Sequence, residues 1–155
     1  MPALRDRLLV LLLGIAPQHG LSAVMHRLAR SEWPPLKRWL IRRVCAAYRV
    51  DLSSAAEPDP LAYRSFNAFF TRALRSNARP LDPDPSALLS PVDGRISQFG
   101  SISHGNLLQA KGHHYRLEDL LAGDSALTAR LDGGQFATIY LSPPDYHRIH
   151  MPWPG

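Results

Sequence analysis

The chain carries its positive charge almost entirely in its first third. Residues 1–50 hold nine Arg or Lys against two acidic residues, a net charge of +7, whereas residues 51–155 hold nine basic against eleven acidic residues, a net charge of −2. A protein that binds nucleic acid through a uniformly basic surface would not have this distribution, so we expect no nucleic-acid partner. The pattern instead predicts a basic, apolar N-terminal segment attached to a nearly neutral domain.

This N-terminal segment predicts three helices. Residues 8–16 are uncharged, but a helix that crosses a bilayer needs roughly 20 apolar residues, so this stretch does not span a membrane. Residues 21–28 and 36–50 each place apolar side chains at helical spacing, with arginines beside them and with Trp33 and Trp39 nearby. Such stripes are typical of helices in the membrane interface. We therefore expect peripheral attachment to an anionic membrane surface, on the cytoplasmic side of the cell membrane.

Two alternatives stay open for this segment. The apolar stretch of residues 8–16 has the length of the hydrophobic region of a secretory signal, although residues 17–20 (PQHG) are a poor cleavage site. The helices could also pack on the protein's own core instead of on a membrane.

The next segment, residues 51–85, predicts a linker with one short helix. Residues 51–60 are polar and contain proline, which favours a connection. Ser65 is a suitable N-cap for a helix over residues 66–75. Three prolines exclude a helix over residues 79–85.

Residues 86–155 change from helical to strand periodicity. We expect short helices at residues 117–121 and 126–131, and strands at residues 88–90 and 95–102 around an Asp93-Gly94 turn, 107–111 and 136–141. The expected fold class is therefore α+β. Amphipathic helices in residues 1–50 precede a linker in residues 51–85 and a mostly antiparallel β domain in residues 86–155.

Three residues are candidates for chemistry: Asp93, His147 and His150. Taken alone, Asp93-Gly94 is a turn motif. Prolines before the two histidines disfavour a helix, so the imidazoles should lie on opposite faces of an extended segment and have different roles. A zinc site would need a third ligand, for which His113 or His114 could be proposed, but the chain has no HExxH-like spacing, so we expect no metal site.

A carboxylate beside an imidazole suggests acid–base chemistry. Asp93 could fix the tautomer of His150, whose second ring nitrogen would then act as a base. Such an arrangement needs a serine, and the chain offers none in a recognisable nucleophile setting.

A series of short motifs runs from residue 61 to residue 155. They are residues 66–72 (FNAFFTR), 78–80 (ARP), 90–94 (SPVDG), 108–112 (LQAKG), 115–121 (YRLEDLL), 141–143 (LSP) and 145–152 (DYHRIHMP). Each is weak alone, but in this order and spacing they resemble the phosphatidylserine decarboxylase family. The basic, apolar N-terminus is also similar to that of the bacterial enzymes.

The resemblance implies a pyruvoyl-dependent lyase that is made as a proenzyme. The family cuts itself at a serine in a Leu-Gly-Ser-Thr-like motif and converts that serine into a covalent pyruvoyl group. This group accepts electrons as phosphatidylserine loses CO2 and becomes phosphatidylethanolamine. By motif, Asp93 and His150 would assist the self-cleaving serine as a hydrogen-bonded pair. His147 would lie at the substrate, where it would place the carboxylate or supply a proton.

The chain departs from the family in one respect, since it contains no Leu-Gly-Ser-Thr-like motif. We therefore expect an N-terminal fragment of the proenzyme, inactive alone, with an exposed strand edge. Its expected partners are phosphatidylserine, the anionic membrane surface and the C-terminal (alpha) chain of the same proenzyme, and the sequence leaves open whether it forms homo-oligomers. Two other functions stay open: a metal-dependent hydrolase that uses Asp93, His147 and His150, and a non-catalytic membrane-surface module.

Overall fold

The computed structural model describes residues 18–108 and 114–153. The expected helix over residues 8–16 lies outside these residues, as does most of the expected strand over residues 107–111. The chain divides into two compact units, Met1–Ala78 and Arg79–Gly155. The boundary falls within the segment predicted as a linker. The helices and antiparallel strands confirm the α+β fold class.

The described part of the first unit begins with two helices, α1 (Gln18–Arg30) and α2 (Pro34–Tyr48). The break between them coincides with Pro34 and Pro35, which occupy the first turn of α2, where a missing N–H costs no hydrogen bond. Helix α2 ends at Arg49, which adopts the left-handed conformation and donates its backbone N–H to the Cys45 carbonyl. The helices expected around residues 21–28 and 36–50 are thereby confirmed.

A third helix, α3 (Phe66–Phe70), packs against both α1 and α2. Its N-cap is Ser65, as predicted, because the Ser65 hydroxyl accepts a hydrogen bond from the Ala68 N–H at 3.1 Å. The helix is shorter than the predicted 66–75, since residues 73–75 run extended and pair with residues 54–56 through backbone hydrogen bonds. Phe69, Ile41 and Ala55 are buried in this unit.

The described residues of the second unit form four strands in two antiparallel pairs. Strand β1 (Arg95–Ser101) pairs with β4 (Gln135–Tyr140), and β2 (Asn106–Leu108) pairs with β3 (His114–Arg116). Helices α4 (Leu117–Leu120) and α5 (Ser125–Leu131) lie between β3 and β4 in the chain. Ile102, Leu107 and Leu117 form the buried cluster, against which Leu121 and Phe136 pack.

The predicted hairpin between residues 88–90 and 95–102 is wrong. Residues 88–90 form no strand, and β1 takes its partner from a segment about forty residues later in the chain. Pro91 cannot donate to a strand ladder, and the Leu89 N–H instead binds the Pro152 carbonyl at 3.0 Å. The strand predicted at residues 136–141 is confirmed as β4, shifted by one residue.

Within residues 18–108 and 114–153, no helix combines the length and the apolar character needed to cross a membrane.

Candidate active site

Asp93 lies in the bend immediately before β1, where it binds Arg79. The Arg79 Nε donates to Asp93 Oδ2 at 2.9 Å and Nη2 donates to the same oxygen at 2.5 Å, while Oδ1 lies farther away, 3.2 Å from Nε. The hydrogen bond from Arg79 to this carboxylate raises the pKa of Arg79, although partial burial opposes the shift. A guanidinium fork fixes both the position and the orientation of a carboxylate. Arg79 therefore holds Asp93 in one orientation within this unit.

Gly94 allows the Asp93 bend to lie directly against the end of β4. A Cβ atom at this position would lie 2.7 Å from the Tyr140 carbonyl oxygen and 2.9 Å from Ile139 Cγ2. Real side chains do not approach backbone this closely, so the glycine is required by the close approach of the two segments. Asp93 is thus carried to the point where the chain leaves β4 for the histidine-containing segment.

Ser142 and Asp145 close a hydrogen-bonded turn in the chain after β4. The Ser142 backbone N–H and hydroxyl both donate to Asp145 Oδ2 at 2.6 Å, and the Asp145 N–H donates back to the Ser142 carbonyl at 2.9 Å. Burial tends to raise the pKa of Asp145, but the hydrogen bonds from Ser142, with His147 and Arg95 nearby, outweigh it and lower the pKa below its usual value. This Ser142–Asp145 turn sets the direction in which the following residues leave β4.

His147 is half-buried and contacts the Ser142–Asp145 turn. Its Nε2 lies 2.9 Å from the Ser142 carbonyl oxygen. Because a carbonyl can only accept, Nε2 must be the protonated nitrogen, and in a neutral imidazole Nδ1 is then the acceptor. The fold therefore selects one tautomer of His147.

His150 is exposed and is held by Tyr146 and by the backbone. Its Nε2 lies 3.0 Å from the Tyr146 hydroxyl, and the two rings stack with centroids 5.6 Å apart and planes 16° apart. The His150 N–H donates to the Pro91 carbonyl at 2.8 Å. This backbone bond ties the His150 segment to the loop that carries Asp93.

The structure brings the loops of Asp93 and His150 together. The two side chains, however, form no hydrogen bond with each other. Among residues 18–108 and 114–153, the Asp93 carboxylate binds Arg79 and the His150 ring binds Tyr146. The prediction that the two side chains are hydrogen-bonded in this chain is therefore wrong. A charged guanidinium is a stronger partner for a carboxylate than a neutral imidazole, which accounts for the difference.

Arg79 and Tyr146 are the two site residues that the sequence did not single out. Both lie inside the short motifs at residues 78–80 and 145–152, but nothing in either motif indicates which residue is the partner of Asp93 or His150. Their roles depend on contacts between segments that lie far apart in the chain.

In the part of the chain that the structure describes, no group of three or more His, Cys, Asp or Glu side chains could hold a metal ion. His113 lies outside that part.

Comparison with known proteins gives one consistent result. The family model for phosphatidylserine decarboxylase matches residues 66–155, and a second family model, described as PSD, matches residues 8–49. Three proteins named phosphatidylserine decarboxylase proenzyme illustrate the similarity. The protein from Bordetella pertussis is 53% identical over 151 residues, which cover 97% of this chain and 51% of the relative. That from Azotobacter vinelandii is 51% identical over 152 residues, which cover 98% and 53%.

The third, from Xanthomonas euvesicatoria pv. vesicatoria, is 55% identical over 141 residues, which cover 91% of this chain and 50% of the relative. The chain spans about half the length of the curated relatives that it matches. The family match includes every residue of the candidate site.

Proposed function

Because the chain belongs to the phosphatidylserine decarboxylase family, we propose that it is part of a proenzyme which, when complete, decarboxylates phosphatidylserine to phosphatidylethanolamine. One observation carries the proposal: the family match over residues 66–155 includes two loops, tied by the His150–Pro91 backbone bond, that hold Asp93, His147 and His150. A carboxylate and two imidazoles can hold a substrate carboxylate and transfer protons.

The pyruvoyl group that the family resemblance implies is formed from a serine, and Ser142 in this site does not fit that role. Its hydroxyl donates to Asp145, and His147 contacts its carbonyl oxygen instead of its hydroxyl. We propose that the serine belongs to the part of the proenzyme that this chain does not include. The imidazoles and carboxylate do fit a site that faces such a group, which when present supplies an electron sink as CO2 leaves.

His147 is proposed to act on the substrate. The Ser142 carbonyl holds the proton of Nε2, so Nδ1 is the nitrogen that takes up or delivers a proton. A protonated His147 would also attract the carboxylate of phosphatidylserine. Its half-buried position limits the directions in which the ring can turn.

Asp93 and His150 are proposed to assist self-cleavage. Arg79 binds mainly Oδ2 of Asp93, and a carboxylate has about four acceptor positions, so Oδ1 can accept a further bond from His150. The backbone bond between His150 and Pro91 keeps the ring within the same pair of loops. A movement that brings Nδ1 of His150 to Oδ1 of Asp93 would then complete the pair.

The helices of the first unit are proposed to attach the protein to the cytoplasmic surface of the cell membrane. Trp33 and Trp39 are exposed, as are four apolar side chains of α1: Leu21, Val24, Met25 and Leu28. Five exposed arginines accompany them: Arg27, Arg30, Arg38, Arg42 and Arg43. An apolar stripe beside cations suits the boundary between acyl chains and anionic headgroups. Their exposure favours a membrane over packing of these side chains on the protein's own core.

The activity is tested with the full-length proenzyme and vesicles that contain phosphatidylserine. We expect phosphatidylethanolamine to form at the same rate with and without a metal chelator, and the activity to be lost after treatment with hydroxylamine, which traps carbonyl groups. Activity abolished by the chelator would favour a metal-dependent hydrolase, and no turnover with full self-cleavage would contradict the proposed reaction.

His147→Ala in the full-length proenzyme is expected to leave self-cleavage intact and to lower the decarboxylation rate by about 10²–10⁴-fold, the usual contribution of a general acid or base. The measurement combines a denaturing gel with an assay of phosphatidylethanolamine. The matched control is His104→Asn, because His104 is exposed, has φ +52° and tolerates asparagine there. A His147→Ala protein that remains uncut would mean that the roles of the two histidines are reversed.

A further inference from the structure

In the segment that follows β4, described for residues 141–153, Tyr146 is the one buried aromatic residue. Only 7% of it is exposed, whereas Ile149 and Met151 in the same segment are 81% and 78% exposed. A buried tyrosine hydroxyl needs a hydrogen-bond partner, and here the partner is Nε2 of His150. The buried ring of Tyr146 is thus the one that binds His150, the proposed base.

Three contacts together restrict the position and the hydrogen bonding of the His150 ring. The stacking of the two rings, with planes 16° apart, restricts the ring plane. The bond between the Tyr146 hydroxyl and Nε2, 3.0 Å long, engages one particular ring nitrogen. The backbone bond from His150 to Pro91 fixes the point from which the side chain starts.

A phenol both donates and accepts, so the direction of this hydrogen bond depends on the tautomer of the imidazole. A phenol is a good hydrogen-bond donor, and the unprotonated nitrogen of a neutral imidazole is a good acceptor. With the Tyr146 hydroxyl donating, Nε2 is unprotonated and Nδ1 carries the ring proton. Nδ1–H is the donor that a carboxylate needs in order to orient an imidazole as a base.

We propose that Tyr146 is a positioning residue for His150: its hydroxyl keeps the ring proton on Nδ1, ready for Asp93, and occupies Nε2 until the hydroxyl of the self-cleaving serine replaces it. The second half of this inference rests on the proposed function. The first half, the tautomer, is a property of this chain alone.

The tautomer is measured by ¹⁵N NMR of the histidine side chains in this chain at about pH 8.5, where an ordinary imidazole is neutral. We expect a protonated Nδ1 and an unprotonated Nε2 for His150. Tyr146→Phe, which keeps the stacked ring but removes the hydroxyl, should move both resonances toward a mixture of tautomers. Tyr140→Phe is the control, because the Tyr140 side chain is exposed, and it should leave His150 unchanged. A protonated Nε2 in the unaltered chain would overturn the proposal without any variant.

The functional half is measured by the rate of self-cleavage of the full-length proenzyme. Loss of one hydrogen bond of ordinary strength predicts a rate about 2- to 10-fold lower in Tyr146→Phe, with no change in Tyr140→Phe. An unchanged or faster rate in a Tyr146→Phe protein with an altered tautomer would overturn the positioning role. If the unaltered proenzyme does not cut itself, the proposed function fails, and the NMR result still decides whether Tyr146 sets the tautomer.

Discussion

Contacts between single side chains hold the candidate site in its observed form. Arg79 and Asp93 have side chains that are 50% and 32% exposed, so their ion pair adds little to the stability of the fold, about 0–1 kcal/mol. Its effect is on orientation, because the fork of Arg79 engages mainly one oxygen of the carboxylate. The pair of Tyr146 and His150 acts similarly through a stacked ring and one hydrogen bond.

Asp145 makes the stability of the second unit sensitive to acid. Its pKa is lowered because the hydrogen bonds from Ser142 outweigh the opposing effect of burial. A group with a lowered folded-state pKa contributes stability above its unfolded pKa, about 3.9 for Asp, and loses that contribution as the pH falls through the folded value. We expect the difference in unfolding free energy between the unaltered chain and Asp145→Asn to be constant near neutral pH and to shrink as the pH falls from about 3.9 through the lowered folded-state pKa of Asp145. Denaturant unfolding at a series of pH values measures it. A difference that is independent of pH would show that the charge of the Asp145 carboxylate does not stabilise the Ser142–Asp145 turn.

At this scale the sequence supplied candidate site residues, which remain predictions, but not the partners that the structure gives them. Asp93, His147 and His150 belong to motifs that could be found by inspection, and their loops do meet. The bond of Asp93 to Arg79 was not predictable, because a dipeptide motif carries no information about which cation lies nearby. The hydrogen bond expected between Asp93 and His150 followed from the chemistry of the two residue types and from the resemblance, and neither indicates a competing partner.

At the scale of secondary-structure elements, the pairing of β1 with β4 depends on the absence of a side chain at Gly94. Gly94→Ala would place a methyl group 2.7 Å from the Tyr140 carbonyl oxygen, which is backbone and cannot move without disturbing the strand pair. Overpacking of this kind costs about 1–3 kcal/mol, so we expect a lower free energy of unfolding by that amount. Gly100→Ala is the matched control, since its Cβ would meet only the Phe136 ring, at 3.3 Å, and a side chain can shift. Equal effects of the two substitutions in denaturant unfolding would show that the close approach at Gly94 does not limit the strand pair.

The helices of the first unit are expected to bind anionic vesicles through their arginines. Each cation near an anionic surface contributes about 1 kcal/mol, so the combined substitution of Arg38, Arg42 and Arg43 by Gln should weaken binding by roughly 100-fold. The control replaces three exposed arginines outside α1 and α2, Arg64, Arg75 and Arg130, with the same loss of charge. Vesicle co-sedimentation with anionic and neutral lipids measures both variants. Equal weakening by both, or equal binding to neutral vesicles, would contradict a specific basic face on these helices.

Local signals predicted the elements well, whereas pairing was not predictable. The Ser65 cap and the strand-forming residues of β4 each act within a few residues, and both elements were predicted. Helix α3 is shorter than its apolar spacing predicts because residues 73–75 pair with residues 54–56. The partner of β1 lies about forty residues away, a distance over which periodicity gives no indication.

On the scale of the whole molecule, the second unit exposes much apolar surface for its size. Two-stranded sheets are marginally stable alone, and this unit buries a cluster of only three residues among those described. Several of its large apolar side chains are exposed: Ile96, Phe99, Tyr140, Ile149 and Met151. These observations support the proposal that the remaining part of the proenzyme packs on this unit.

The measurement that tests the account most directly is the intact mass of the full-length protein, unaltered and with Asp93→Asn. We predict that the unaltered protein separates into two chains, one of which reacts with a carbonyl reagent, and that Asp93→Asn stays a single chain with an unchanged fold. Asparagine suits turns as well as aspartate does, so a turn role alone would leave processing normal. A fully processed Asp93→Asn protein, or an unaltered protein that remains a single chain, would contradict the account.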